Sequence, residues 1–356
     1  MSAITIIMVV FSMLAALDRI FGCRFGLGKE FERGFMLLGT MALSMIGMIV
    51  ISPWIAEILT PVFGIFRNLS GIDPSVIPAS LFANDMGGAP LAVEIALDRD
   101  VGLFNALVVS SMMGCTISFT IPFALGVVDK AHHQSMLLGF LCGIVTIPVG
   151  CFFGGLVCAL PLPLLLWNLL PLLLFSVLIA CGLFFFPMKC VKVFAVFGTG
   201  MKILITFGLA LGILRYLTGI ELLRGLATLE EGGLVCLNAS AVMSGAFPLM
   251  YLLSRLLKKP LGKFGTLIGI NEISALGFVS SLATSVTTYS MFDQMDRRGI
   301  VLNSAFTVSA AFTFAGHLAF TMAFDGAYVL PMIVGKLTAG ATSVLLAMLI
   351  EKKTRT

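Results

Sequence analysis

The chain has 356 residues, of which 59% are hydrophobic and only 11% charged, with a net charge of +4 and a mean hydropathy of +1.08. A soluble domain carries roughly 25% charged residues, so the composition excludes a soluble enzyme or binding module and predicts an all-α polytopic membrane protein. The basic residues are scattered among short connections, which argues against a nucleic-acid partner. The apolar runs are continuous, which argues against a β-barrel.

Taken in order, apolar runs fall at about 3–22, 34–59, 101–128, 136–160, 164–187, 192–217, 234–257, 299–324 and 328–350. Each can cross roughly 30 Å of hydrocarbon as a helix. The first lacks a basic stretch before it and a small-residue cleavage pattern after it, so it reads as a span. The eight cysteines show no paired metal spacing and mostly sit inside these runs, as small packing residues do. Two further segments, 69–97 and 267–295, are apolar but interrupted. The first is broken by Asn84-Asp85-Met86-Gly87-Gly88-Ala89-Pro90 and the second by Thr284-Ser285-Val286-Thr287-Thr288. Gly-Gly and Pro continue a helix poorly, so each segment either crosses or enters and returns as a re-entrant hairpin.

An offset of 198 residues pairs Met45 with Met243, Gly47 with Gly245, Gly64 with Gly262, Phe66 with Phe264 and Leu69 with Leu267. It also pairs Asp98-Arg99 and Asn105 with Asp296-Arg297 and Asn303. Matches among Leu and Gly are cheap, but the Asp-Arg pattern with its following Asn predicts an internal repeat. If both interrupted segments return to the side they left, sixteen Lys and Arg residues fall on one side and only Arg67, Arg99, Arg215 and Arg224 on the other. If both cross, the split falls to twelve against eight. The positive-inside rule therefore favours two hairpins, nine full spans, an outside N-terminus and a cytoplasmic C-terminus. The expected organisation is a first repeat at 1–160, a linker helix at 161–191 and a second, inverted repeat at 192–356. Inverted repeats with broken helices near the midplane characterise secondary transporters.

The candidate chemistry follows from the breaks. Freed backbone groups at Asn84, Asp85, Gly87 and Gly88 become available to a solute, and the Asp85 carboxylate suits an ammonium or another small cation. A structural ion pair is the competing reading. The opposing tip offers Thr284, Ser285, Thr287 and Thr288, whose hydroxyls either meet a solute or cap the backbone. Asn105 and Asn303 either line a polar path or bond across helices. His317 is a candidate relay or packing histidine, and Lys336 and Lys202 are intramembrane cations that need partners. Lys336 beside Asp85 would balance the site. Enzymatic readings lack their motifs. Met243-Ser244-Gly245 with His317 hints at a hydrolase, but Val242 stands where the preceding glycine should be.

These residues resemble the EutH family of ethanolamine permeases. The likeness is carried by Asp85-Met86-Gly87-Gly88, Ser111-Met112-Met113-Gly114, Pro122-Phe-Ala-Leu-Gly126 and Gly143-Ile-Val-Thr-Ile-Pro-Val-Gly150. In the second half it rests on Gln294-Met295-Asp296, Arg298-Gly299, Val308-Ser-Ala-Ala-Phe312, His317-Leu318 and Pro331-Met-Ile-Val-Gly-Lys336-Leu337. The resemblance implies uptake of ethanolamine, protonated or neutral, through the bacterial inner membrane. It implies no cofactor, and leaves a coupling ion (H+ or Na+) and homo-oligomerisation open. Where the family pattern has Asn-Asn-Ile-Pro, this chain has Thr284-Ser285-Val286-Thr287. Gly316 stands where an Asp precedes the histidine, and the loops are shorter. Alternatives are a carrier for another small polar solute such as an amino acid or nucleoside, a pore, or a non-transporting assembly partner.

Overall fold

The computed structural model describes residues 3–353, apart from the side chains of 60, 62–70, 191, 258, 264, 352 and 353. The repeat pairs at Gly64, Phe66 and Leu69, and Arg67, Lys258, Lys352, Lys353 and Arg355 of the charge count, lie outside the described residues.

Among the described residues the chain is helical throughout, without strands. Two helices, α1 (Ala3–Ile20) and the long α2 (Leu27–Ser70), lead into a hairpin of two short helices, α3 (Val76–Leu81) and α4 (Gly88–Ile95). A winding span follows, built from α5 (Arg99–Phe104), π-helical stretches at Asn105–Gly114 and Thr116–Thr120, and α6 (Ile121–Val127). Then come α7 (His133–Val157), α8 (Leu162–Phe185), α9 (Pro187–Thr218) and the long α10 (Leu229–Ile268). The second hairpin is α11 (Glu272–Ala283) with α12 (Ser285–Ser290), and the chain closes with α13 (Arg297–Ala310), α14 (Gly316–Phe324) and α15 (Val329–Lys353).

Both interrupted segments return to where they begin, because their ends are bonded together. At the first base the Asp73 carboxylate accepts from the amide and hydroxyl of Ser75 and from the amides of Leu97 and Asp98. At the second, Asn271 donates its amide to Asp296 and its side chain to the Gln294 carbonyl. A segment tied in this way cannot reach the opposite face. The offset of 198 relates the two bases, Asp73 to Asn271 and Asp98 to Asp296. It also relates Gly71 and Gly269, the left-handed residues (φ +65 and +73) where α2 and α10 give way to their hairpins.

The same offset governs close helix contacts, which in lipid depend on small residues rather than on exclusion of water. Gly47 of α2 lies against the Ile205 carbonyl of α9, and Gly245 of α10 lies against the Met8 carbonyl of α1. Elsewhere Gly139, Gly143 and Gly150 bring α7 against α13 and α15, and Thr146 bonds across to the Ala339 carbonyl.

Eight helical stretches are long and apolar enough to span, among the described residues. They account for eight of the nine expected spans; the ninth, 299–324, is interrupted. That run is two helices, α13 and α14, parted at Ala311–Ala315, with Phe312 in the left-handed region (φ +63). The break is held by hydrogen bonding. The last carbonyls of α11 lose their helical partners at Thr284, and the amides of Phe312 and Phe314 donate to two of them, Ser281 and Leu282, at 3.0 and 2.9 Å. Two interrupted helices thus satisfy each other.

Candidate functional site

Hairpin tips, break and π-helical stretch converge on one cavity of about 480 Å³, within the usual range for small-molecule sites. Ala83, Asp85 and Met86 line it from the first tip, and Ala283, Thr284 and Val286 from the second. Phe312, Gly316 and His317 come from the break, and Cys115 and Phe119 from the winding span. The long helices close it with Arg33, Thr40 and Ser44 of α2 and Met243 and Phe247 of α10, among others.

Asp85 sits on a single tight turn, Asn84–Met86, followed by Gly87 at φ +102. The amides of Met86 and Gly88 both turn back onto the Ala83 carbonyl, at 3.0 and 2.8 Å. They are therefore spent on the turn itself. Gly87 and Gly88 serve close approach: a methyl on Gly87 would run into the Met48 side chain, and one on Gly88 into Ser110 and the Phe82 carbonyl. Ser110 donates to that carbonyl at 2.5 Å and Ser118 accepts from the Ala83 amide at 3.0 Å. The π-helical winding places both serines on the tip. The Asp85 carboxylate itself forms no ion pair with any described Lys or Arg. Lys336 is not directly bonded to it; the Lys336 ammonium is engaged elsewhere.

Lys336 is fully buried, and its Nζ donates to the Ser111 carbonyl at 2.7 Å and lies 2.9 Å from His317 Nδ1. His317 is therefore a bridge, lining the cavity on one side and holding the lysine on the other. Lys202 is exposed on α9, away from this site. Ser244 is engaged by Ser12 of α1 at 2.9 Å, and it does not line the cavity with His317.

The remaining predicted residues divide sharply. Of the hydroxyl-rich tip only Thr284 lines the cavity, where its extended backbone ends α11 and its hydroxyl accepts from the Val286 amide. Ser285 is buried without a hydrogen-bond partner, Thr287 is exposed, and Thr288 donates to the Gly277 carbonyl. Asn84 is fully buried with both amide atoms unbonded, and does not reach the cavity. Neither asparagine of the repeat pattern lines it. Asn105 exchanges side-chain bonds with Asn168 of α8 and donates to Ser75, while Asn303 donates to the Ser274 and Gly299 carbonyls. Both pin a hairpin base to the following helix. Asn105→Ala should therefore cost about 1–2 kcal/mol of stability, given the modest worth of hydrogen bonds between membrane helices. Thermal unfolding in detergent should show a lower midpoint, and ligand affinity should hold within twofold.

Sequence reasoning missed the aromatic walls Phe119, Phe247 and Phe312 and the rim residue Arg33. Arg33 is exposed, bonds Glu30 at 3.3 Å and lies 4.9 Å from the Phe247 ring centre. Phenylalanines are common in apolar runs, so only the turn of the helix distinguishes Phe119 and Phe247, and only the break distinguishes Phe312. The site thus offers the Asp85 carboxylate, the hydroxyls of Thr40, Ser44 and Thr284, an imidazole and aromatic faces that attract a cation. Among the described residues no cluster of ligand side chains could hold a metal ion.

The sequence matches the family described as "Ethanolamine utilisation protein, EutH" over residues 1–350. A Listeria monocytogenes protein named "Probable ethanolamine permease EutH" is 44% identical, covering 95% of this chain and 91% of that protein. Proteins of the same name from Salmonella typhimurium and Escherichia coli are 40% and 39% identical, each covering 98% of this chain and 94% of the relative. These names describe permeases and not enzymes. No solved structure matches the chain. With a match along nearly its whole length and relatives this similar, the chain belongs to the EutH family.

Proposed function

We propose that the chain is a permease for ethanolamine or a similar small amino alcohol, bound in the cavity between the two hairpin tips. The observation that carries this reading is the Asp85 carboxylate, which lines the cavity without a direct ion pair to any described Lys or Arg. An anion in a low-dielectric site calls for a cation, and an alkylammonium supplies one. Phe119, Phe247 and Phe312 surround its methylene groups, and the Thr284 hydroxyl and His317 imidazole meet the alcohol. The names of the relatives point to the same solute.

The two halves related by the 198-residue offset, 1–160 and 192–356, are inverted on this reading, with α8 as the linker between them. Their relative movement exposes the cavity to one side and then the other. The N-terminus lies outside and the C-terminus in the cytoplasm of a bacterial inner membrane. Arg33 belongs to the basic, cytoplasmic side, so a cavity with Arg33 at its rim faces inward.

Reconstituted protein preloaded with ethanolamine tests the reading by counterflow. A carrier takes up labelled ethanolamine faster against the unlabelled internal pool. A pore shows no such acceleration, and an assembly partner moves nothing. Either of those outcomes overturns the proposal. Thr284→Val should weaken ethanolamine binding about five- to tenfold, the worth of one hydrogen bond of about 1 kcal/mol or slightly more. Ethylamine, which lacks the hydroxyl, should bind wild type and variant alike in a titration.

A further inference from the structure

Lys336 is an unusual occupant of a membrane interior. It is 1% exposed, its ammonium nitrogen bonds only the Ser111 carbonyl and His317 Nδ1, and no described carboxylate pairs with it. An ammonium in hydrocarbon is expensive and marks function more often than packing. The titratable groups facing it are Asp85, Cys115 of the winding span, Cys151 of α7 and His317 of α14. Of the charges on the packed elements, Arg298 of α13 is held by Glu351 at the far end of α15. At the cavity rim, Arg33 is held by Glu30. Among the described residues Asp85 is thus the acid on hand to balance Lys336.

We propose that Lys336 and His317 form a proton-exchange pair, so that one proton leaves the protein for each ammonium substrate that binds at Asp85. The inference rests on the permease reading above. In the empty site one buried cation stands against one anion. A second ammonium at Asp85 makes two cations against one anion in a poorly screened interior, where like charges repel strongly. Losing one proton restores the balance.

The route is visible in the hydrogen bonds. With Lys336 as an ammonium, Nζ donates to Nδ1, and the ring proton sits on Nε2. The Nε2–H proton passes to water in the cavity as Nδ1 takes a proton from Nζ. Lys336 is left as a neutral amine and His317 as the Nδ1–H tautomer, and one proton has entered the cavity. Reversal of both transfers on the opposite side resets the pair as substrate departs. The cycle exchanges one alkylammonium for one proton and moves no net charge.

Proteoliposomes holding the full chain, labelled ethanolamine and an internal pH dye test this, with protein-free vesicles subtracted. For wild type an inside-acid gradient of one pH unit should raise uptake severalfold and alkalinise the lumen, while an inside-negative potassium diffusion potential should change the rate by less than twofold. Lys336→Met should retain uptake, respond to the potential severalfold and stop alkalinising the lumen. His317→Gln keeps an acceptor for Nζ but cannot relay, and should slow turnover about tenfold at saturating substrate, over and above any loss of affinity at the alcohol. Wild-type uptake driven by the potential overturns the exchange and leaves the permease reading standing. Electroneutral uptake by Lys336→Met, as for passage of the neutral amine, overturns it as well, and so does unchanged turnover in His317→Gln. Absence of flux in wild type overturns the permease reading itself.

Discussion

Asp85→Asn should abolish ethanolamine uptake, with a loss of at least a hundredfold, while the protein remains folded in the membrane. The substitution keeps the size of the side chain and removes its charge. A desolvated ammonium left without its anion loses about 3–5 kcal/mol, and each 1.4 kcal/mol is tenfold in affinity. The tip itself should survive, because the turn is built from the Ala83 carbonyl, the amides of Met86 and Gly88 and the serines of the π-helical stretch. None of those bonds uses the carboxylate. Labelled uptake together with a thermal-unfolding midpoint separates the two effects. An aggregated variant would assign Asp85 to folding instead.

Gly88→Ala should also abolish transport, for a different reason. The added methyl would meet the Ser110 hydroxyl and the carbonyls of Phe82 and Ala83, so backbone would have to move. Overpacking of this kind typically costs about 1–3 kcal/mol or more. The first tip then backs away from the winding span, Ser110 loses the Phe82 carbonyl, and Asp85 leaves the cavity wall. The unfolding midpoint should fall by several degrees along with the loss of uptake. Gly198→Ala on α9, where a methyl meets nothing within 4 Å, is the matched control and should leave both unchanged.

The architecture was readable from the sequence where its determinants are local or charged. Eight of the nine apolar runs match helices long and apolar enough to span, and glycine, proline and hydroxyl clusters marked both hairpin tips. Loop charge favoured returning hairpins, and the bonds from Asp73 and Asn271 across each base have the same consequence. The Asp-Arg and Asn pattern of the repeat proved to be cap and pin: Asp98 and Asp296 cap the helices that follow, and Asn105 and Asn303 anchor the hairpins. The break at Ala311–Ala315 was not readable. Its sequence is apolar, and its amides leave the helix because α11 offers orphaned carbonyls, a tertiary fact. The same holds for the site. Asp85, Thr284 and His317 stood out by residue type, whereas Phe119 and Phe247 gain their meaning only from the direction in which each helix turns, and Phe312 from the break. Lys336 was legible as a costly buried cation, but its hydrogen bonds, to His317 and to the Ser111 carbonyl, were not.

The claim that an ammonium sits on Asp85 and an alcohol near Thr284 and His317 is tested most directly by equilibrium binding to the purified protein. Ethanolamine is titrated in competition with ethylamine and with ethylene glycol, for wild type and Asp85→Asn. Wild type should bind ethanolamine, ethylamine should compete about ten times more weakly, ethylene glycol should not compete, and Asp85→Asn should bind none of them. Equal binding of ethanolamine by Asp85→Asn, or competition by ethylene glycol as strong as by ethylamine, would contradict the account.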